Sequence, residues 1–207
     1  MKVVCDTTEA PVVKVALDLL KRDCRSVLSG EISHSENTGN IYVGTWGESS
    51  VLQALADTRQ LDVAQLNEHK EAFLLNVLPD GRLVVAGSDK RGTAYGVLEL
   101  SRMMGVSPWE WWTDAVPEKK EEFCLPAGFR KLDYPQVAYR GIFINDEDWG
   151  LTPWSWKHYE PSERKGQIGP KRMHVFLNCC FACGPIHSGR LCMSAPFLSF
   201  LLKEIRK

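Results

Sequence analysis

The sequence contains no apolar run of the ~18 residues that a membrane-spanning helix needs, and no apolar stretch follows Met1-Lys2 as it would in a signal peptide. Neither charge sign is in excess. The 25 basic and 26 acidic residues leave a formal net charge of -1, so the chain carries no electrostatic footprint for nucleic acid. No G-x-G-x-x-G run or phosphate-loop lysine spacing occurs. The seven cysteines are odd in number and come without a visible export signal, which argues against a disulfide framework. Apolar residues at 44% and charged residues at 25% exclude a disordered tail, collagen-like repeats and a coiled coil. What the chain does have is tryptophan: seven residues, six of them between Trp109 and Trp156.

Along the first half, strand and helix patterns interleave. Val3-Val4-Cys5 is a strand seed. From Pro11 the apolar positions Val12, Val15, Ala16, Leu19 and Leu20 alternate with charged ones at helical spacing, and a proline in the first turn suits a helix start. Asn40 to Gly44 reads as a buried strand and Ser49 to Ala56 as a second helix. Ala72 to Leu78 and Arg82 to Ala86 flank Pro79-Asp80-Gly81, a turn in which proline fixes φ and glycine permits φ > 0, so the pair is expected to be a hairpin. Asp89 is expected to cap a helix over Gly92 to Met104, stopped by Gly105. The class is α/β, a mixed sheet with helices.

After Gly105 the texture changes to a proline-punctuated, tryptophan-rich connector with the charged run Glu118 to Glu122. Tyr139 to Ile144 then reads as a fresh strand, apolar on consecutive positions as a parallel strand buried on two faces should be. It ends in Asn145-Asp146-Glu147-Asp148-Trp149, and acids at the carboxyl end of a buried strand are where a β/α barrel places its chemistry. The expected division is an N-terminal α/β domain at 1–128, a linker and opening barrel strand at 129–171, and a distinct tail at 172–207.

Two stretches carry a family resemblance. Gly87-Ser88-Asp89-Lys90-Arg91-Gly92-Thr93-Ala94-Tyr95-Gly96 with Gly105 to Trp112 is one, and Tyr139 to Trp149 is the other. Together they resemble glycoside hydrolase family 115, the xylan α-1,2-glucuronidases, over residues 1–171. The resemblance implies an N-terminal α/β domain followed by a TIM (β/α)8 barrel, of which this chain holds the opening strand. It implies metal-independent hydrolysis of a glucuronosyl or 4-O-methylglucuronosyl side chain with inversion, no cofactor, and a xylan or glucuronoxylan oligosaccharide as partner. For the whole family enzyme it is compatible with a homodimer and with a periplasmic or secreted location. It places Asp146 as the catalytic candidate, with Asn145, Glu147 and Trp149 as substrate-binding residues and the main acid and base on later strands.

The acidic run can supply at most one partner of an acid–base pair. Inverting hydrolysis sets two carboxyl groups roughly 6.5–9.5 Å apart, and neighbouring side chains on one strand point to opposite faces. The alternative is a strand-end cluster that caps the following segment. The chain itself is therefore expected to be inactive, and the rival reading is a non-catalytic carbohydrate-binding or interaction module over 1–128.

Residues 172–207 depart from the pattern. They contain one acid, Glu204, and four of the seven cysteines. Back-translated from Arg172 and read from the third base of each codon, synonymous choices allow YARIFELLLRLRANTFWPAMHECT without a forced stop, a peptide with a helical stripe and then a tryptophan-proline turn. A change of reading frame near Lys171 is the expected origin of the tail. His174, Cys179, Cys180, Cys183, His187 and Cys192 invite a zinc reading, but adjacent cysteines seldom both ligate one tetrahedral ion and the C-x2-C pair occurs once, so no metal site is read. Trp109, Trp111 and Trp112 suit a domain junction; Trp149, Trp154 and Trp156 suit a junction or a sugar platform equally. His34 and His69 are expected to be solvated loop residues, and His158 a weak ligand candidate.

Overall fold

A computed structural model describes residues 2–29, 32–33, 40–58, 61–110, 116–138, 140, 151–156 and 160. The chain divides into two compact units, Met1–Pro135 and Gln136–Lys207. In chain order the first unit runs β1 (Lys2–Cys5), α1 (Pro11–Val27), β2 (Ile32–Ser33), β3 (Asn40–Thr45), α2 (Ser50–Asp57), a 3-10 turn (Ala64–Glu68), β4 (Phe73–Val77), β5 (Leu83–Gly87), α3 (Lys90–Met103), β6 (Phe123–Cys124) and β7 (Arg130–Asp133). In the second unit the described helix is α4 (Leu151–Trp156).

Five strands form one mixed sheet in the order β1-β3-β5-β4-β7. The first three are parallel; β4 is antiparallel to β5 and to β7. The short β2 and β6 pair separately in parallel. The β4–β5 connection is the expected hairpin, with Gly81 at φ 82° supplying the left-handed turn residue.

Alternation along the strands sorts the core into two layers. Leu74, Val84 and Ala86 face a cluster built from Leu52 and Leu55 of α2 with Leu61, Val63 and Leu66 around the 3-10 turn. On the opposite face α1 and α3 pack against each other, and α3 lies on β3, β4 and β5. This is why β5 is buried at every position.

Helix α1 begins at Pro11, whose fixed φ and absent N–H cost nothing in the first turn. It buries Val13, Ala16, Leu17 and Leu20 at helical spacing. Helix α3 starts on Asp89, whose Oδ1 accepts from Arg91 N and Gly92 N at 2.9 Å each. Gly92 lets α3 seat closely, because a Cβ there would meet the Ala72 carbonyl oxygen at 2.0 Å.

Strand β7 lies beyond residue 128 yet closes the sheet of the first unit, so that unit reaches Pro135. Its sequence, Arg130-Lys131-Leu132-Asp133, is too charged to announce a strand; its place comes from pairing with β4. Of the expected strand Tyr139 to Ile144, Arg140 is described and is not in a strand; the other five residues lie outside the described ones.

Candidate functional site

The parallel strands β1, β3 and β5 end on one edge of the sheet, and α1, α2 and α3 begin there. Carboxyl ends of parallel strands and helix N-termini are ordinarily where α/β proteins receive anionic ligands, because unpaired N–H groups and the positive ends of helix dipoles converge. In this chain its own carboxylates fill that edge. Asp6 accepts from Ser49 Oγ at 2.8 Å and from Ser50 N and Ser50 Oγ at 2.9 Å. Glu9, only 4% exposed, accepts from Thr45 N at 2.6 Å and from Thr45 Oγ1 at 3.1 Å. The Thr45 and Thr93 hydroxyls are 2.8 Å apart, and Thr93 Oγ1 also lies 3.2 Å from the Gly44 carbonyl oxygen. Asp89 adds a bond from Glu71 N at 2.9 Å to its two cap bonds.

The electrostatics agree with a structural role. The Ser49 hydroxyl above all, opposed by burial and helped by the Ser50 bonds, holds the Asp6 carboxyl below its ordinary 3.8. Such a group stays ionised at neutral pH and has no proton to donate as a general acid. Glu71 has φ 56°, a left-handed conformation for a residue with a side chain, and is fixed there by the Asp89 bond and an ion pair with Arg91. Together these contacts lock the loops after β1, β3 and β5.

Two of the thiols, Cys5 and Cys24, are equally inert. Burial first, then the charges of Glu9 and Asp6, push Cys5 up to about 11. Burial and Asp23 push Cys24 up to about 11 as well. Neither is a thiolate at neutral pH, the form needed for nucleophilic attack or metal ligation. Among the described residues no group of three or more His, Cys, Asp and Glu side chains is placed to hold a metal ion.

The residues singled out from the sequence fall into two sets. Asn145, Asp146, Glu147 and Trp149, with Trp111, Trp112, His34, His158 and the four tail cysteines, lie outside the described residues. Of the others, Trp156 is buried, whereas Trp109 is 49% exposed. His69 is not a solvated loop residue: its ring stacks on Tyr134, with centroids 3.5 Å apart and planes 7° from parallel. The lock of Asp6, Glu9, Thr45 and Thr93 escaped sequence reading, because polar residues between a strand and a helix look the same whether they cap loops or bind ligands. The run Asp6-Thr7-Thr8-Glu9 before Pro11 was the one available signal.

Comparison with known proteins bears on the first set. The model of glycosyl hydrolase family 115 matches residues 132–179, a stretch that includes Asn145 and the acidic run at 146–148. A solved structure, described as a family GH115 4-O-methyl-alpha-glucuronidase with specificity for decorated arabinogalactans, is 54% identical over 87% of this chain, with a TM-score of 0.75. The chain belongs to glycosyl hydrolase family 115. It spans 23% of the length of that family 115 relative. Two further solved structures are more remote. CpGH84D is 17% identical over 68% of this chain and 21% of its own, with a TM-score of 0.43. A GH138 enzyme targeting pectin rhamnogalacturonan II is 16% identical over 67% of this chain and 16% of its own, with a TM-score of 0.37. No curated protein matches the chain.

Proposed function

We propose that this family 115 chain supplies the N-terminal α/β domain and the opening strand of the (β/α)8 catalytic barrel of an α-glucuronidase. In this reading Tyr139 to Ile144 form the first barrel strand, and Asn145, Asp146, Glu147 and Trp149 stand at its carboxyl end, at the mouth of the sugar pocket. Asp146 takes part in catalysis, and Asn145, Glu147 and Trp149 hold the uronosyl group. The main acid and base, which must be well separated across the scissile bond, come from segments outside these 207 residues. The observation that carries the proposal is the family match across the acidic run. The filled edge of the first unit supports it from the other side, since Asp6, Glu9 and Asp89 are already committed to donors of their own chain.

The bond cleaved is an α-linked glucuronosyl or 4-O-methylglucuronosyl branch on a plant polysaccharide. Xylan is the substrate implied by the resemblance. A second reading, a decorated arabinogalactan, is favoured by the specificity of the 54% identical relative.

The test is a chimera in which residues 1–171 replace the corresponding stretch of that relative. It should release 4-O-methylglucuronic acid from branched oligosaccharides, and comparing glucuronoxylan with arabinogalactan fragments decides the substrate. In the chimera, Asp146→Asn should lower kcat/KM by about 100-fold or more, with an unchanged circular dichroism spectrum. A silent Asp146→Asn would remove Asp146 from the site. The 207-residue chain alone should release no sugar, and turnover by it would refute the placement of the main acid and base elsewhere. Saturable quenching of tryptophan fluorescence when xylo-oligosaccharides are added to the chain alone, with an inactive chimera, would support the carbohydrate-binding module instead.

We further propose that the reading frame changes near Lys171, where the composition of the chain shifts. Sequencing the DNA across these codons tests this. A corrected base that opens a long family-like frame supports the proposal; confirmation of the given frame, with no family-like codons in any frame beyond it, refutes it.

A further inference from the structure

We draw no further inference here: the strongest candidate, the carboxylate cluster of Asp6, Glu9 and Asp89 at the carboxyl ends of β1, β3 and β5, is an acidic cluster whose members are bonded to hydroxyl and backbone donors of the chain itself, and no second observation among the described residues points to a ligand there.

Discussion

Lys131 on β7 donates to the Glu99 carboxylate of α3 at 2.6 Å, which fastens the last strand of the sheet to the helix beneath it. Arg102, one helical turn along α3, closes on the same carboxylate. Burial pushes the Glu99 carboxyl up, but the Arg102 and Lys131 bonds outweigh it and hold the group below its ordinary 4.5. A carboxylate with a depressed folded pKa contributes stability that is complete above its unfolded value and is lost as pH falls through the folded one. Lys131→Met should therefore destabilise the first unit by about 2 kcal/mol at pH 7, less than a fully buried pair would lose because Lys131 keeps some solvent contact and Arg102 remains. The difference from the parent should shrink as pH falls below 4.5. Urea unfolding followed by tryptophan fluorescence at pH 7 and pH 3.5 measures both.

Asp6 should matter to α2 rather than to any ligand. Its bonds to Ser49 and Ser50 reinforce the helix start, where Ser49 itself accepts from Leu52 N at 3.4 Å. Asp6→Ala is expected to cost about 1 kcal/mol at pH 7, the usual worth of an N-terminal cap. Because the folded Asp6 pKa is held below 3.8, that cost should begin to fade below 3.8 and be lost as pH falls on through the lower folded value. A loss unchanged at pH 3 would show that the side chain acts through packing instead.

Gly92→Ala sets a methyl group against backbone. The Ala72 carbonyl oxygen would lie 2.0 Å from the new Cβ, and neither β4 nor α3 can yield without disturbing the Asp89 cap. We expect a loss of about 3 kcal/mol, at the upper end for overpacking. Denaturant unfolding checks it: a cost under ~1 kcal/mol would mean that α3 shifts freely on the sheet.

Cys124 is exposed, whereas Cys5 and Cys24 are partly buried and held near 11. At pH 8 a thiol with that pKa is only ~0.1% thiolate, the reactive form. Iodoacetamide at pH 8 should modify Cys124 at least about 10-fold faster than Cys5 or Cys24, as read by peptide mass spectrometry. Equal rates would refute the inertness assigned to the two buried thiols.

Much of the first unit was legible because local chemistry and burial agree there. Pro11 marks the start of α1, Pro79-Asp80-Gly81 marks the hairpin, and Asp89 with Gly105 brackets α3; all stand where the sequence places them. What escaped depends on partners distant in sequence. Arg130-Lys131-Leu132-Asp133 becomes a strand because β4 offers an edge and Glu99 offers a counter-charge. His69 finds Tyr134, and Glu9 finds Thr45, across gaps that no local pattern records. The candidate site residues stand out in another way: the acids at 146–148 follow the apolar Ile142-Phe143-Ile144 in sequence. Their chemistry rests on the family match, since those residues lie outside the described ones.

The late position of β7 sets an order of events during synthesis. The ribosome delivers β1 through α3 before Arg130 is translated, so for that interval β4 stands with one edge unpaired. An open strand edge beside an apolar sheet is a template for pairing with another nascent chain. The stretch Gly105 to Phe129 thus sets a waiting time, and Lys131, reaching Glu99 as it arrives, ends it. Lengthening this stretch should raise the fraction of chains lost to aggregation during expression while leaving the finished sheet unchanged.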